Sequence, residues 1–584
     1  MSSEVADSAI DVPIVTADGA AGSMDGADVA GEAPGSTVDA PDGPTDAPVI
    51  LDTSIDSVVI DTTHWDGGGS DTPGVSAVPD YLIIAADELA DSALRYRDFR
   101  VSSGFNVDLA MVGAIVGDAD SATTAVARII EHVRARYQAR DTTRPMYLLL
   151  LGDAQDVWPG DGTGVPTGTW QAVDGGAPVV SDNVFADMDG DDVPDLAVGR
   201  ITADDDDQAD LVRGKVVDYE TTHEIGQWDR RINIFASTSG FGALADTAIE
   251  TLVYDTIEAL PYDYDMTMTY ANQTSPYVYV PEQFSAQVYR RINEGSLLVG
   301  YVGHGYADGF AKLDWNGTSY PILDTDALDS LAVTHRSPIL LFVACSTGAF
   351  AGGDSVSERI LARADAPAAI LSATEISHPY ASAILTHEFM QLLAKSHVPR
   401  LGEAFMLAKQ RMLAGTDSVR NQIEILTSLL VSATEKEALK HSHLHMFTLF
   451  GDPAMHITYP GKAEVAVEPA TAGVGANLTV TLGYPVLGAG GQALVTLESL
   501  RKTILGPIAL VPADDDPSRD SVIVENYETA NDKVVASATI AATGSSVSLS
   551  LQVPPGLPAG QYHVKAFIRD QSSDYMGSAA VTVP

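Results

Sequence analysis

The chain has 584 residues, 45% of them hydrophobic, and carries 80 acidic against 33 basic side chains for a formal charge of −47 at pH 7. Its length exceeds one hydrophobic core and calls for three or four folded units. The charge repels phosphate backbones and anionic membrane surfaces, which argues against nucleic acid as a partner, and no apolar run approaches the ~20 residues of a transmembrane segment.

Residues 1–78 form an Asp/Ala/Gly/Pro-rich stretch. Up to position 80 there are 16 Asp or Glu and no Lys or Arg. Such a composition buries too little apolar surface to offset chain entropy, so it reads as disordered, whether propeptide, spacer or misassigned start. The first residues lack the basic and apolar regions of a signal peptide.

Order is expected from Tyr81. YLIIAA is a strand candidate, ELADSALRYRDFRVSSG a helix, FNVDLAMV a strand, SATTAVARIIEHVRARYQA a helix and MYLLLLGDA a strand. This βαβ rhythm marks a mainly parallel sheet covered by helices, and it defines a first α/β subdomain over 79–225. A second series fills 226–460: RINIFAST, a helix near ADTAIETLVYDTI, the helix EQFSAQVYRRINEG, then SLLVGYVGHG, PILLFVACSTG and PAAILSATE. The last three are buried-strand candidates that each run into a polar or Gly-rich loop. From 461 to 584, short alternating segments such as NLTVTLGY, QALVTLES, SVSLSLQV and QYHVKAFI predict an all-β sandwich of immunoglobulin type.

In open α/β sheets the ligand crevice lies beyond the carboxyl ends of the parallel strands. Two such ends stand out: SLLVGYV leads into Gly303-His304-Gly305, and PILLFVA leads into Cys345-Ser346-Thr347-Gly348. Cys345 is the sole cysteine of the chain, so no internal disulfide framework exists. If the two strands are neighbours, imidazole and thiol face one groove, and a Cys/His pair suffices for acyl transfer. Gly305, lacking a Cβ, lets a substrate backbone approach. Its N–H and that of Cys345 are candidates to stabilise a tetrahedral oxyanion. On spacing alone a buried filler cysteine and a plain glycine turn remain the alternative.

YVGHG followed by FVACSTGAF, LGEAFMLAKQRML and FTLFGDPAMHI resembles the gingipain-like cysteine peptidases, peptidase family C25, in the same broad clan as caspases. YLIIAADEL, YLLLLGDAQD and DVPDLAVGRITADDDDQADLVRGKVVDYE resemble that family's N-terminal subdomain, so the likeness spans about 80–458 in the family's order. It implies two adjacent caspase-like α/β subdomains followed by an immunoglobulin-like module. His304 and Cys345 would be the catalytic dyad, proteins or peptides the substrates, and the protein would be exported to the cell surface or beyond. No cofactor is implied for catalysis. One departure concerns the acid that gingipains place near the catalytic histidine, where this chain has Ser239. In arginine-specific members a pocket acid lies about eleven positions beyond that point. Counting on from Ser239 reaches Glu250, with Asp246 one helical turn earlier, and on that correspondence Arg or Lys would be favoured at P1. Tyr380 would form the pocket's wall.

Two other clusters have ligand spacing. In ADMDGDDVPD the carboxylates of Asp187, Asp189, Asp191 and Asp195, with the backbone of Val193, are spaced to wrap a hard cation, which fits structural calcium, against a merely solvated acidic turn. His441, His443 and His445 alternate, so they share a face only if they lie on a strand. The rival to a peptidase is a catalytically silent calcium-binding surface or adhesion protein on the same scaffold.

Overall fold

The computed structural model describes residues 78–154, 164–171, 178–222, 224–238, 251, 253–428 and 431–584. The acidic segment 1–77, Ser239, Asp246 and Glu250 lie outside these residues.

Ten strands form one sheet. In chain order they are β1 (Tyr81–Ala85), β2 (Val107–Met111), β3 (Tyr147–Leu151), β4 (Ala197–Ile201), β5 (Arg231–Ser237), β6 (Asp265–Ala271), β7 (Leu298–Val302), β8 (Ile339–Val343), β9 (Ala369–Ala373) and β10 (Phe447–Phe450). Their spatial order is β2-β1-β3-β4-β10-β9-β8-β7-β5-β6, parallel throughout except for the β9–β10 pair. β1, β3 and β9 are buried along their whole length, as strands covered by helices on both faces must be, and this is why YLIIA and YLLLL read as unbroken apolar runs. Alternation sends neighbouring residues to opposite sides: Leu340 and Phe342 enter one core, Ile339 and Leu341 the other.

The two expected α/β subdomains are thus the two halves of a single mixed α/β sheet. The seam is β10, which lies parallel to β4 and antiparallel to β9. Directly after it, the fully buried Asp452 locks the halves together. Its carboxylate accepts from Tyr81 Oη (2.9 Å), Tyr96 Oη (2.6 Å), and Arg100 Nε (2.7 Å) and Nη2 (2.6 Å). Arg100 Nη1 in turn reaches both oxygens of Glu220 at 3.0–3.1 Å.

From Gly461 the chain builds a five-stranded and a three-stranded sheet that share one apolar core, with Leu478, Val480 and Leu551 facing Val495, Val564 and Ile568. The strand candidates read from the sequence are all present here. Not foreseen is a helix, Arg519–Asn531, inserted between strands Gln492–Ser499 and Val534–Ala541. It caps the open edge of the large sheet. Asn531 accepts from the Met268 N–H (2.8 Å) and donates to the Met268 carbonyl (3.0 Å), standing in for the strand that β6 lacks on that side. Just ahead of this helix, Asp514 accepts from Trp315 Nε1 and Asn316 Nδ2, both at 2.8 Å, and so ties the insertion to the hairpin Lys312–Trp315/Thr318–Pro321.

Where the sheet meets the last strand, burial and then the neighbouring Asp574 charge push the Asp229 carboxyl up to about 9. Unfolded, that carboxyl titrates near pH 4. Between about pH 4 and pH 9 the folded state therefore keeps a proton that the unfolded chain has released. The pair's contribution to stability is complete below that window and is lost as pH rises through it. Thermal melting followed across the window should show Tm falling less steeply with pH in Asp229→Asn than in the parent. Equal slopes would contradict this origin.

Candidate active site

β7 and β8 are adjacent and parallel, with Val302 opposite Val343. His304 and Cys345 each stand two residues past that last pair, so equal strand overhangs deliver imidazole and thiol to the same end of neighbouring strands. Both side chains are half-buried, and both line one cavity of about 300 Å³.

Close backbone approach holds the two loops together. A Cβ on Gly305 would sit 2.8 Å from the Cys345 carbonyl oxygen and from Ala344 Cβ, and 2.6 Å from Thr347 Cγ2, so only glycine fits between the histidine and cysteine loops. A Cβ on Gly303 would collide with the Ser237 hydroxyl at the end of β5. The histidine is therefore flanked by two glycines because two neighbouring strand ends crowd its backbone. Tyr301, buried in β7, donates its hydroxyl to the His304 carbonyl at 2.8 Å, with Ser237 Oγ 3.2 Å away. This fixes the turn from which the imidazole projects.

On the other loop, Ser346 adopts φ of +54°, a left-handed conformation that costs energy in a non-glycine residue and recurs at functional turns. The turn is pinned by Ser346 N–H to the Glu375 carbonyl (3.0 Å) and Gly348 N–H to the Ala373 carbonyl (2.9 Å). The Cys345 thiol faces Ser377, with Sγ 3.6 Å from its carbonyl oxygen and 3.8 Å from Oγ. Tyr301 and Ser377 were not singled out from the sequence. The tyrosine lies inside the YVGHG motif, where its alternation with Val302 on β7 is the only available signal.

Tyr380 is not a wall of this cavity. It belongs to the helix Pro379–Ala394, whose cavity face carries Pro379, Ser382, Ala383, Thr386 and Met390. Tyr380 is one residue out of that register and turns into the core, where its hydroxyl donates to Glu424 at 2.6 Å under the Lys436 ammonium.

The acidic loop brings carboxylate oxygens of Asp187, Asp189 and Asp195 within 4.8 Å of one another. Asp191 stands outside that group, its Oδ1 accepting the Val193 N–H at 2.9 Å. Desolvation and the charges of Asp191 and Asp195 raise the Asp189 carboxyl above the usual range. The histidines lie on the helix Ala433–Met446, where steps of two residues point in divergent directions. His443 is consumed by structure. Its Nε2 accepts the His378 N–H (2.8 Å), its Nδ1 pairs with the Leu439 carbonyl (2.7 Å), and burial pushes it down to about 4. His445 stacks on Trp170 and is pushed down to about 3, again by burial first.

Among solved structures, the crystal structure of the Arg specific cysteine proteinase gingipain R (RGPB) aligns with 15% identity and a TM-score of 0.48, covering 87% of this chain and 98% of that one. A complex of Porphyromonas gingivalis RgpB pro- and mature domains gives the same identity and score over 86% and 100%. Dimeric latent PorU from the same organism aligns at 13% identity and a TM-score of 0.33, covering 87% of this chain and 43% of that one. No curated protein matches. Peptidase family C25 matches residues 75–458, more than half of the chain and the whole span that carries the ten-stranded sheet and the His304–Cys345 cavity, and the chain is a member of that family.

Proposed function

We propose that this protein is a cysteine endopeptidase acting outside the cell or on its surface, with Cys345 as nucleophile and His304 as general acid and base. The observation that supports it best is the shared cavity at the ends of β7 and β8, where the one thiol of the chain and an imidazole line the same wall. In this mechanism His304 takes the thiol proton, and the thiolate attacks the peptide carbonyl. His304 then returns the proton to the leaving amine, and water releases the acyl-enzyme. The N–H groups of Gly305 and Cys345 are the oxyanion donors in this reading, on a loop pair held in contact before substrate arrives. Hydrolysis of unfolded casein by the full-length protein should be blocked by thiol alkylation and, at a temperature well below the melting transition, survive a chelator. Loss to the chelator with alkylated enzyme still active would favour a metal-dependent hydrolase instead.

The acidic loop is proposed to hold structural calcium through Asp187, Asp189 and Asp195, whose carboxylate oxygens lie within 4.8 Å of one another. A ligand that binds only the native state raises apparent stability by mass action. Calcium should raise the Tm of the parent protein and leave that of Asp189→Ala unchanged. A parent Tm indifferent to calcium would remove the site.

A further inference from the structure

The cavity at the dyad runs far deeper than the two reactive side chains require. Leu298, Gly300 and Val302 contribute the alternate residues of one β7 face, and Leu341 and Val343 do the same on β8 ahead of Cys345. From Leu298 to Val302 is four residues, roughly 13 Å at the usual strand rise. The facing wall is the helix Pro379–Ala394, whose lining residues Pro379 to Met390 span three turns, roughly 16 Å. The lining of this slot is predominantly apolar, with Ser237, Thr256, Ser377, Ser382 and Thr386 as its polar members. Among the described lining residues no Asp, Glu, Lys or Arg occurs, and the titratable groups are His304 and Cys345 themselves.

Two details fit the slot to a substrate. Gly300 sits mid-strand, and a Cβ there would meet only Ile234 Cδ1, at 3.1 Å, so the missing side chain is space in the slot rather than a demand of the backbone. At the mouth Ile376 is 78% exposed, a large apolar side chain held in water beside the Ser377 carbonyl that faces the thiol. An isolated surface isoleucine needs no explanation, but one lining the entrance of an apolar slot extends the slot's surface outward.

We propose, resting on the peptidase reading above, that this slot receives the P1 side chain and selects large apolar residues such as Leu, Met and Phe over Arg and Lys. An apolar side chain entering the slot leaves water for contact with Leu298, Val302, Leu341, Val343 and Met390. A guanidinium or ammonium would be desolvated there with no carboxylate among the described lining residues to pair with. The basic preference expected from Asp246 and Glu250, which lie outside the described residues, is the opposing outcome. Gly300 and Thr386 set the slot's width and polarity.

The test is a fluorogenic peptide library varied at P1, read as kcat/KM with the full-length protein. Leu, Met or Phe should exceed Arg and Lys by roughly 10- to 100-fold. Gly300→Val should shift the preference toward Ala. Should that variant melt early, Gly300→Ala makes the same shift in smaller measure. Thr386→Glu, on the half-buried side of the helix, should raise cleavage after Arg and Lys at the expense of Leu and Phe. Cys345-dependent cleavage that prefers Arg or Lys would overturn the specificity and leave the peptidase reading standing. No cleavage at any P1 would overturn both.

Discussion

Cys345→Ala is expected to abolish measurable peptide hydrolysis, and His304→Ala to lower kcat by roughly 10²- to 10⁴-fold, the range assigned to a positioned acid-base group. The two losses have different origins. Without Cys345 no acyl-enzyme forms. Without His304 the thiol keeps its place in the turn pinned by Ser346 and Gly348 but loses the group that moves its proton. Because the two residues act as a unit, the double variant should be no worse than Cys345→Ala alone. Both variants should melt within a few degrees of the parent, since neither side chain is among the core-forming residues. Steady-state kinetics on one peptide substrate, with melting curves on the same preparations, checks this. Activity persisting in Cys345→Ala would contradict the assignment.

Asp452→Ala should destabilise the protein by about 3–5 kcal/mol, the cost of removing one partner from a buried ion pair. That is a large share of the ~5–15 kcal/mol by which domains are usually stable. Four side-chain donor groups on three residues converge on that carboxylate, and all come from β1 and the helix Ala90–Ser102 of the first half. Its removal leaves the Arg100 guanidinium buried with Glu220 as its remaining anionic partner. Denaturant unfolding reads the effect. The conservative Asp452→Asn, which keeps the acceptor oxygen but not the charge, should fall between parent and alanine variant. A parent-like midpoint for Asp452→Ala would mean that the halves are held elsewhere.

The candidate site was more legible in the sequence than the way the fold is joined. Strands ending in YVGHG and FVACSTG could be seen as apolar runs with glycine-rich exits, and parallel neighbours with equal overhangs needed only that both be central. The seam left no such signal. β10 is four residues long and begins directly where the helix Ala433–Met446 stops, with no turn residue between, so no period-2 pattern separates from the helix. Asp452 looks like a polar turn residue because its partners lie more than 350 positions away. The inserted helix Arg519–Asn531 sits inside an otherwise β-rich tail and presents little amphipathic contrast, and its Asn531 makes sense only beside the sheet edge that it caps. Tyr380 failed for a simpler reason: one position along a helix is a turn of about 100°, enough to move a side chain from cavity to core.

The most direct measurement is covalent labelling of the full-length protein by a peptidyl acyloxymethyl ketone, which reacts only with an activated thiolate in a peptide-binding site. The account predicts stoichiometric modification at Cys345, found by peptide mass mapping, lost in His304→Ala and blocked by competing substrate peptide. A folded parent protein whose Cys345 stays unmodified by ketones carrying apolar, basic and acidic P1 residues alike would contradict it.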